Sequence, residues 1–283
     1  MKSRNRTVDS LESEVRVVKS AARTLDIIDL LVKFPNGLSL TVIGQKLDIP
    51  LSSLHFLMAT LVERDYLIRV DGSSMYRMSP KLIQLAAEFH SQYGLISVAD
   101  SVMERLVRLS SEMTSLAVLH GNSIVIIHKR ASQDVIQVVN PVGSQLPAHS
   151  SSLGKVMLAY LEDSDIDRLY PDEELPKLTS ATIRTRTELK NELEQVQSRG
   201  YAFDNEETTS GVWAVASAVR DRNGRPVAAL SIAAPKFRVK ERDVADWNEA
   251  VVKGAEEVGA TLGLVSLHPL SAQEHQYSDG DSA

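Results

Sequence analysis

The sequence predicts an α+β fold in two domains, and three observations indicate it. The chain has 283 residues, which corresponds to roughly two domains of ordinary size. Several segments place apolar residues at helical spacing, and short β-favouring segments joined by turn residues alternate with them. Helices mixed with hairpins favour an α+β sheet over a doubly wound parallel sheet. A composition of 43% hydrophobic and 24% charged residues allows such a chain to bury sizeable cores.

The first part of the chain begins with a polar segment and one helix. Residues 1–17 are charged and aperiodic, and we expect them to be flexible. A helix begins near Ser20, which is the expected N-cap, and Pro35-Asn36-Gly37 ends it. Its apolar residues recur at helical spacing and are Ala21, Leu25, Ile28 and Val32.

Two further helices separated by a three-residue turn follow. Ser39 is placed to cap the first, and Pro50 suits the first position of the second, which spans residues 51–64. The apolar face of the second helix consists of Leu54, Leu57, Met58, Leu61 and Val62. Residues 67–70 and 75–78 then predict a hairpin. A helix-turn-helix followed by a hairpin is a winged helix, here over residues 18–79, and the pattern fits either DNA binding or a small helical interaction domain.

The face of the second helix that points away from its apolar residues carries candidate DNA contacts. Ser52 and Ser53 lie in the first turn, where hydroxyl and backbone N–H groups can meet a phosphate. His55 can donate to a phosphate or to a base edge. Phe56 stands where a polar residue is expected, and it can pack on a thymine methyl group or on a neighbouring protein segment. We assign DNA contacts to Ser39, Thr41, Ser52, Ser53, His55, Phe56, Thr60, Arg64 and Arg69.

The charge distribution differs between the two parts of the chain. The net charge is −6, which by itself argues against a generic nucleic-acid binder. Residues 1–90 carry 12 Lys and Arg against 10 Asp and Glu, whereas the remainder carries 19 against 27. A basic module joined to an acidic one is typical of a DNA-reading domain attached to a regulatory domain, although ordinary solvated surface also gives this pattern.

The remaining sequence predicts a linker helix and then a domain of helices and strands. The linker helix is expected within residues 80–95, where Gly94 ends the helical pattern. The domain spans 96–268, and a disordered tail follows over 269–283. Helices are expected at 98–113, 153–161, 187–199 and 240–262. Strands are expected at 116–120, 123–130, 135–139, 201–203, 215–220 and 227–234. Gly121-Asn122 predicts a hairpin turn, and Gly200 ends a helix.

Several kinds of protein are disfavoured by what the sequence lacks. It contains no cysteine, which excludes disulfides, thiol catalysis and cysteine-based metal sites. No apolar segment is long enough to span a membrane, and the basic N-terminus is not followed by a signal-peptide core. We therefore expect a soluble, cytoplasmic protein without a membrane partner.

No arrangement of reactive residues predicts an enzyme. His149 precedes three serines, but the nucleophile elbow Gly-x-Ser-x-Gly lacks its first glycine, so a small-molecule hydrolase is the weakest alternative. His149 is instead expected to stabilise the loop that leads into the helix at Leu153. Asp204, Glu206 and Glu207 have no supporting His pair and do not predict a metal site. Because Gly-x-Gly-x-x-Gly and P-loop motifs are absent, we expect no cofactor.

Four ordered sequence blocks resemble the IclR family of bacterial transcriptional regulators. The first is the winged helix, at residues 37–40, 50–55 and 59–67. The second is GSQLPAHS at 143–150, which continues into LGKVMLA at 153–159. The third is GYAFDNEE at 200–207 before Gly211-Val212, and the fourth is VAALSIAAP at 227–235 after Gly224. Together they extend over roughly residues 18–265, nearly the whole chain.

The resemblance implies a winged helix, a linker helix and a GAF-like mixed α/β effector domain. Such proteins form dimers, often dimers of dimers, and bind double-stranded operator DNA near catabolic genes as repressors or activators. They respond to small organic or aromatic acids. The effector-binding positions that the resemblance implies are Leu146, Ser152, Leu153, Asp204, Val212, Ala214, Ser231 and Ala233.

The chemistry of these effector positions suits an acid. Backbone N–H groups of Ser152 and Leu153, which open a helix, can hold a carboxylate. Ser231 can donate a hydrogen bond, and Asp204 can accept one from a hydroxyl or a hydrated carbonyl. Each polar residue also has a purely structural interpretation, because Ser152 can cap its helix, Asp204 can bind backbone and Ser231 can be a satisfied buried hydroxyl.

The sequence departs from the family pattern at positions that face DNA and effector. Phe56 replaces the usual Arg, which removes a cation, and we expect altered sequence preference rather than loss of binding. Relatives that bind small oxo-acids tend to have Ala at Leu153, Cys at Ala214 and Ser at Ala233. The pocket is therefore expected to be less polar and to take a more apolar or aromatic acid. The alternative is a sensing or interaction module that does not read DNA sequence.

Overall fold

The computed structural model describes residues 18–70, 72–132 and 134–264. Contacts divide the chain into two compact units, with the boundary between Phe89 and His90, and each unit is described by itself. The tails expected at 1–17 and 269–283 lie outside the described residues. Among the described helices, none has both the length and the apolar composition needed to cross a membrane.

The N-terminal unit is a winged helix, which confirms the prediction. Its elements are α1 (Lys19–Val32), β1 (Leu38–Ser39), α2 (Leu40–Leu47), α3 (Leu51–Glu63), β2 (Leu67–Arg69) and β3 (Met75–Met78). The strands form an antiparallel sheet in the order β1-β3-β2. Strand β1, which pairs with the wing, was not predicted because two residues are too short to show a β pattern.

The two helices of the helix-turn-helix form as predicted, with one shift at the turn. The Ser39 hydroxyl caps α2 by accepting a hydrogen bond from the Val42 N–H, with 3.4 Å between nitrogen and oxygen. Asp48 adopts a left-handed conformation and ends α2. Pro50 is the N-cap of α3 and not its first helical residue. The apolar face of α3 is buried through Leu54, Met58 and Leu61.

The predicted face and cap of α1 are wrong. The helix begins at Lys19 after Val18, so Ser20 lies inside it. Its buried residues are Ile27 and Leu31, whereas Leu25 and Val32 are 62% and 57% exposed. The helix carries two neighbouring apolar stripes, and packing against the core selects the one that a periodicity count did not favour.

The C-terminal unit follows a helix that spans the boundary, α4 (Lys81–Tyr93). The elements of the second unit are α5 (Leu95–Ser110), β4 (Met113–His120), β5 (Ser123–Arg130), β6 (Gln145–Pro147), α6 (Ser152–Leu158), α7 (Asp163–Leu169), α8 (Arg186–Arg199), β7 (Ala202–Asn205), β8 (Val212–Arg220), β9 (Pro226–Pro235), a 3-10 turn (Lys236–Arg238) and α9 (Glu241–Leu264). Within the described part of the chain, the strands form one six-stranded antiparallel sheet in the order β6-β5-β4-β9-β8-β7.

Helices cover both faces of this sheet, which confirms the α+β class. On one face α5 and α9 pack on large side chains, including Leu116, Trp213, Leu230 and Ile232. On the other face α6 covers a surface built mainly from alanines, and α8 packs against α6. The two faces therefore differ in side-chain size, and the small-residue face is the one that carries most predicted effector positions. The GAF-like assignment stays a prediction.

Several predicted boundaries in this unit are corrected. Residues 135–139 form no strand; the strand that pairs with the edge of β5 is β6, which lies further along the chain and bonds only to Ser123–Val125. The helix predicted at 98–113 ends at Ser110, since Ser111 adopts a left-handed conformation and Met113 already begins β4. The helix predicted at 153–161 ends at Leu158. The capping box of Thr185 and Glu188 and the left-handed Gly200 bound α8, close to the prediction.

Gly154 allows α6 to approach the chain that precedes it. A Cβ atom added to Gly154 would lie 2.2 Å from the Cα and carbonyl oxygen of Ala148. Real atoms do not approach so closely, and the obstructing group is backbone, which cannot move aside as a flexible side chain can. The position of α6 over the sheet therefore depends on this glycine.

Gly154→Ala should lower the free energy of unfolding by about 3 kcal/mol or more, because the added methyl group forces α6 away from Ala148. Gly224→Ala is the matched control. Gly224 has φ +76° with nothing within 4 Å of an added Cβ, so its replacement should cost about 1 kcal/mol through backbone strain alone. Urea unfolding measures both, and equal losses would contradict the close-approach argument.

Candidate DNA-binding and effector sites

The outer face of α3 is exposed as predicted. Ser52, His55, Phe56 and Thr60 are exposed, and Ser53 is half-buried. Phe56 is 78% exposed, so it does not belong to the core of the winged helix. The Thr60 hydroxyl donates to the Phe56 carbonyl at 2.9 Å, which leaves only its lone pairs for another partner. This face is polar with one large aromatic side chain and contains no Lys or Arg.

The other predicted DNA contacts lie at the end of α3 and on two elements that contact it, α2 and β2. Thr41 lies exposed in the first turn of α2, and Arg64 is exposed at the C-cap of α3. Arg69 is exposed on the wing strand β2. Ser39 is half-buried and its hydroxyl already accepts the Val42 N–H as the α2 cap. Its hydroxyl hydrogen remains available, so Ser39 is a weaker candidate for contact than the two arginines.

Strand register brings most predicted effector residues together in rows on the α6 face of the sheet. The first row crosses β4, β9, β8 and β7 and consists of Met113, Ala233, Ala214 and Asp204. The second row lies two residues along each strand and consists of Ser115, Ser231, Ala216 and Ala202. We call these two rows the floor. Val212, half-buried at the start of β8, lies on the same face as Ala214.

Two segments cover the floor. Helix α6 is capped by the Ser151 hydroxyl, which accepts the Gly154 N–H at 3.1 Å; the cap is therefore not Ser152. Ser152 and Leu153 are both buried at the start of α6, and Leu153 belongs to the same apolar cluster as Ala216, with Leu146 packed against it. The second covering segment contains Val138, which packs on Met113, Ala214 and Ala233. Residues Met113 and Val138 were not predicted for this site.

Asp204 is buried, and its carboxylate stabilises the turn after β7. Its Oδ1 accepts the N–H groups of Glu207 at 2.8 Å and Thr208 at 3.2 Å. Burial raises the pKa of Asp204, and the hydrogen bonds from Thr208 and Glu207 oppose that rise. The structural role weighed from the sequence is thus present, and it fixes the position of this carboxylate within the floor.

A buried ion pair links α6 to the same turn. Lys155 Nζ lies 2.6 Å from Glu207 Oε1, and the lysine side chain is only 2% exposed. Burial raises the pKa of Glu207, an effect that the Lys155 charge opposes. The hydroxyl of Thr182 donates to the Glu207 carbonyl at 2.7 Å, which adds a third segment to the linkage. Sequence reasoning missed Lys155, although a lysine amid Leu153, Gly154, Val156 and Met157 was a signal of a buried cation.

His149 holds the loop before α6, as expected from the sequence. Its Nε2 donates to the Pro176 carbonyl at 3.0 Å, and its ring meets Tyr170 edge-on. Ser150 shares a hydrogen bond with the Thr208 hydroxyl at 3.0 Å instead of with the imidazole. This arrangement lacks the serine–histidine contact that a hydrolase needs. In the described ranges no group of three His, Asp or Glu side chains is placed to hold a metal ion.

A winged helix with an exposed recognition face, joined in one chain to a unit with a ligand-type α/β site, defines a ligand-responsive transcriptional regulator. Residues 20–71 match the IclR helix-turn-helix domain, and residues 87–260 match the bacterial transcriptional regulator IclR C-terminal domain. The chain belongs to the IclR family of bacterial transcriptional regulators. The curated relatives are regulators and not enzymes, which confirms the expectation from the sequence.

The matches to curated relatives and to solved structures extend over most of this chain. The HTH-type transcriptional repressor AllR of Escherichia coli is 30% identical over 247 residues, which cover 87% of this chain and 91% of AllR. The Thermotoga maritima IclR structure covers 86% of this chain and 98% of its own, with 27% identity and a TM-score of 0.70. An IclR homologue of Microbacterium hydrocarbonoxydans, complexed with 4-hydroxybenzoate, shares the fold at 23% identity, with a TM-score of 0.75 and coverage of 86% and 98%.

His149 should make stability depend on pH. Burial lowers its pKa below 6.5, so the folded state binds fewer protons than the unfolded state. Its contribution to stability is therefore complete above about pH 6.5 and is lost as the pH falls toward the lowered folded pKa. The cost of His149→Gln, measured by urea unfolding, should be larger at pH 7.5 than at pH 5.5.

The matched control is His55→Gln, because His55 lies exposed on α3. Its effect on the unfolding free energy should be small, because the side chain makes no buried contact that the substitution would remove. A His149→Gln cost that is equal at pH 7.5 and pH 5.5 would show that the imidazole does not change its protonation on unfolding.

Proposed function

We propose that the winged helix reads a two-fold operator with the exposed face of α3, and that an apolar or aromatic carboxylic acid bound on the floor controls this reading. The observation that carries the proposal is the division of α3 into two faces. Leu54, Met58 and Leu61 are buried, while Ser52, His55 and Phe56 project outward. This is the geometry of a helix that enters the major groove.

The proposed DNA contacts divide into two kinds. His55, Phe56 and Thr60 on α3 face base edges, and Ser52 and Ser53 in its first turn face phosphate. Arg64 and Arg69 supply the cations that neutralise phosphate, because α3 itself contains none. Ser39 and Thr41 at the start of α2 complete the assigned set.

The proposed effector is larger and less polar than a simple oxo-acid. Ala214 and Ala233 present only methyl groups at the first row, and Leu153 adds an isobutyl group from above. Flat surfaces of alanine and serine suit an aromatic ring. The homologue that is complexed with 4-hydroxybenzoate supports an acid of this kind. The expectation that the N–H groups of Ser152 and Leu153 hold the carboxylate stays a prediction.

Self-association and location belong to the same proposal. We propose a dimer, or a dimer of dimers, in the cytoplasm. Leu25 and Val32 support pairing through the winged helices, because α1 exposes both of these apolar side chains. A dimer presents two recognition helices, so its operator should contain two half-sites related by two-fold symmetry.

DNA selection tests the proposal. The full chain would be mixed with random DNA duplexes at about 150 mM salt, where purely non-specific binding is weak, and the retained duplexes sequenced. Enrichment of one element with two-fold symmetry is the expected result. Retention without a shared element, both in the absence of acid and in the presence of benzoate or a monohydroxybenzoate, would favour the second candidate, a sensing module without sequence-specific DNA reading. The exposed Phe56 is the observation behind that candidate.

Phe56→Ala should reduce affinity for the selected element roughly fivefold or more and relax the preference at one or more of its positions, because the aromatic contact to a base is lost. Phe56→Arg should steepen the salt dependence by about one unit if the new cation meets a phosphate. Fluorescence anisotropy across a salt series measures both.

The control for Phe56 is Phe237→Ala, which removes an equally exposed phenylalanine, 74% exposed, from the second unit. It should leave DNA affinity and preference unchanged. An operator preference that survives Phe56→Ala intact would contradict the assigned role.

Leu153→Ala should lower the free energy of unfolding by about 2–4 kcal/mol, because it removes a buried apolar side chain. It should also shift acid preference toward the small oxo-acid pyruvate and away from benzoate, because the apolar cover of the floor is reduced. Leu158→Ala is the control, since Leu158 is fully buried in the same helix at the other end. It should cost similar stability without altering the ratio of the two affinities in calorimetry. The same shift in both variants would mean that α6 packing, and not Leu153 itself, sets the preference.

A further inference from the structure

Ser115 carries a buried hydroxyl that has no hydrogen-bond partner among the described residues. The residue is 1% exposed near the start of β4, and its Oγ makes no hydrogen bond within the described part of the chain. Buried hydroxyl groups are almost always hydrogen-bonded, so an exception at a binding surface requires an explanation. Ser115 could not be selected from the sequence, because a serine in a strand gives no signal until its neighbours are known.

The strand register places Ser115 on the floor beside a second serine. Ser115 and Ser231 are direct cross-strand partners on β4 and β9, so their side chains project from the same face. Cross-strand Cβ atoms lie about 4.5–5.5 Å apart, which lets two hydroxyl groups reach one ligand atom. The first floor row, with Met113 and Ala233, lies two residues away, about 6.7 Å along the strand.

The rest of the floor offers no other free polar side chain of this kind. Ala216 and Ala202 complete the row of the two serines, and Ala117 with Ala229 follows beyond it. Asp204 is the remaining polar member, and its Oδ1 is already bound to two backbone N–H groups. The two serines therefore form a polar spot within an apolar surface.

We propose that Ser115 and Ser231 bind a ring hydroxyl of the effector and so select hydroxylated aromatic acids over unsubstituted ones. The inference rests on the proposed function, namely that an aromatic acid occupies the floor. A phenolic hydroxyl both donates and accepts, so it can donate to Ser115 Oγ while accepting from the Ser231 hydroxyl. A purely apolar ring would leave Ser115 unpaired, which is why the unsubstituted acid binds less well.

Calorimetry with benzoate and the three monohydroxybenzoates tests the proposal on the full chain. At least one hydroxybenzoate should bind roughly tenfold more tightly than benzoate. Ser115→Ala should reduce this ratio to about one to two by weakening only the hydroxylated acid, and Ser231→Ala should reduce it as well. Ser217→Ala is the control, because Ser217 lies on β8, on the opposite face, with its hydroxyl bound to the Gly200 carbonyl at 2.9 Å.

Thermal unfolding of the free proteins separates a ligand role from a structural one. Ser115→Ala removes a hydroxyl without a partner, so the melting temperature should stay the same or rise. Ser217→Ala removes a satisfied hydrogen bond, so its melting temperature should fall.

The outcomes distinguish this inference from the proposed function. Equal affinities for benzoate and all three hydroxybenzoates would overturn the role of the two serine hydroxyls and leave an aromatic effector in place. The same conclusion would follow if the affinity ratio of hydroxybenzoate to benzoate were unchanged in Ser115→Ala. Binding of none of the four acids would overturn the aromatic effector and the hydroxyl pair together. A lowered melting temperature for Ser115→Ala would show that the hydroxyl has a structural partner, and this too would overturn the inference.

Discussion

The effector unit depends on how closely α6 approaches the chain and the sheet beneath it. Gly154 permits that approach, since a single methyl group there would collide with the Ala148 backbone. The sheet contributes through its small side chains, which leave no bulk between strand and helix. The buried Lys155–Glu207 pair then fixes α6 to the turn that follows β7. A buried pair of this kind often gives little net stability, and its visible effect here is to join α6 to that turn.

The two faces of the sheet show how one set of strands serves two purposes. Large residues such as Trp213 and Leu230 fill the contact with α5 and α9 and supply the apolar burial that stabilises the unit. On the other face the same strands carry Ala214, Ser231 and Ala233, which are buried but are small and so remove little apolar surface from water. Alternation along each strand places the large residues on one face and the small residues that form the floor on the other.

The sequence predicted most elements but few of the contacts that define the site. The helix-turn-helix was predictable because α2 and α3 have local caps and one clear apolar face. Residues 135–139 were wrongly assigned to a strand, since β propensity does not reveal whether a segment pairs with a neighbouring strand. The resemblance supplied Ser231 and Ala233, whereas Ser115 and Val138 enter only through strand register and tertiary packing.

Coupling between the two units is the central claim, and one binding measurement tests it directly. The affinity of the full chain for its selected DNA element would be measured without acid and with a saturating concentration of the most tightly bound hydroxybenzoate. The account predicts a change of about fivefold or more, in either direction, and a reciprocal change of equal size in acid affinity when DNA is bound. An acid that binds the protein while leaving DNA affinity unchanged would contradict the account.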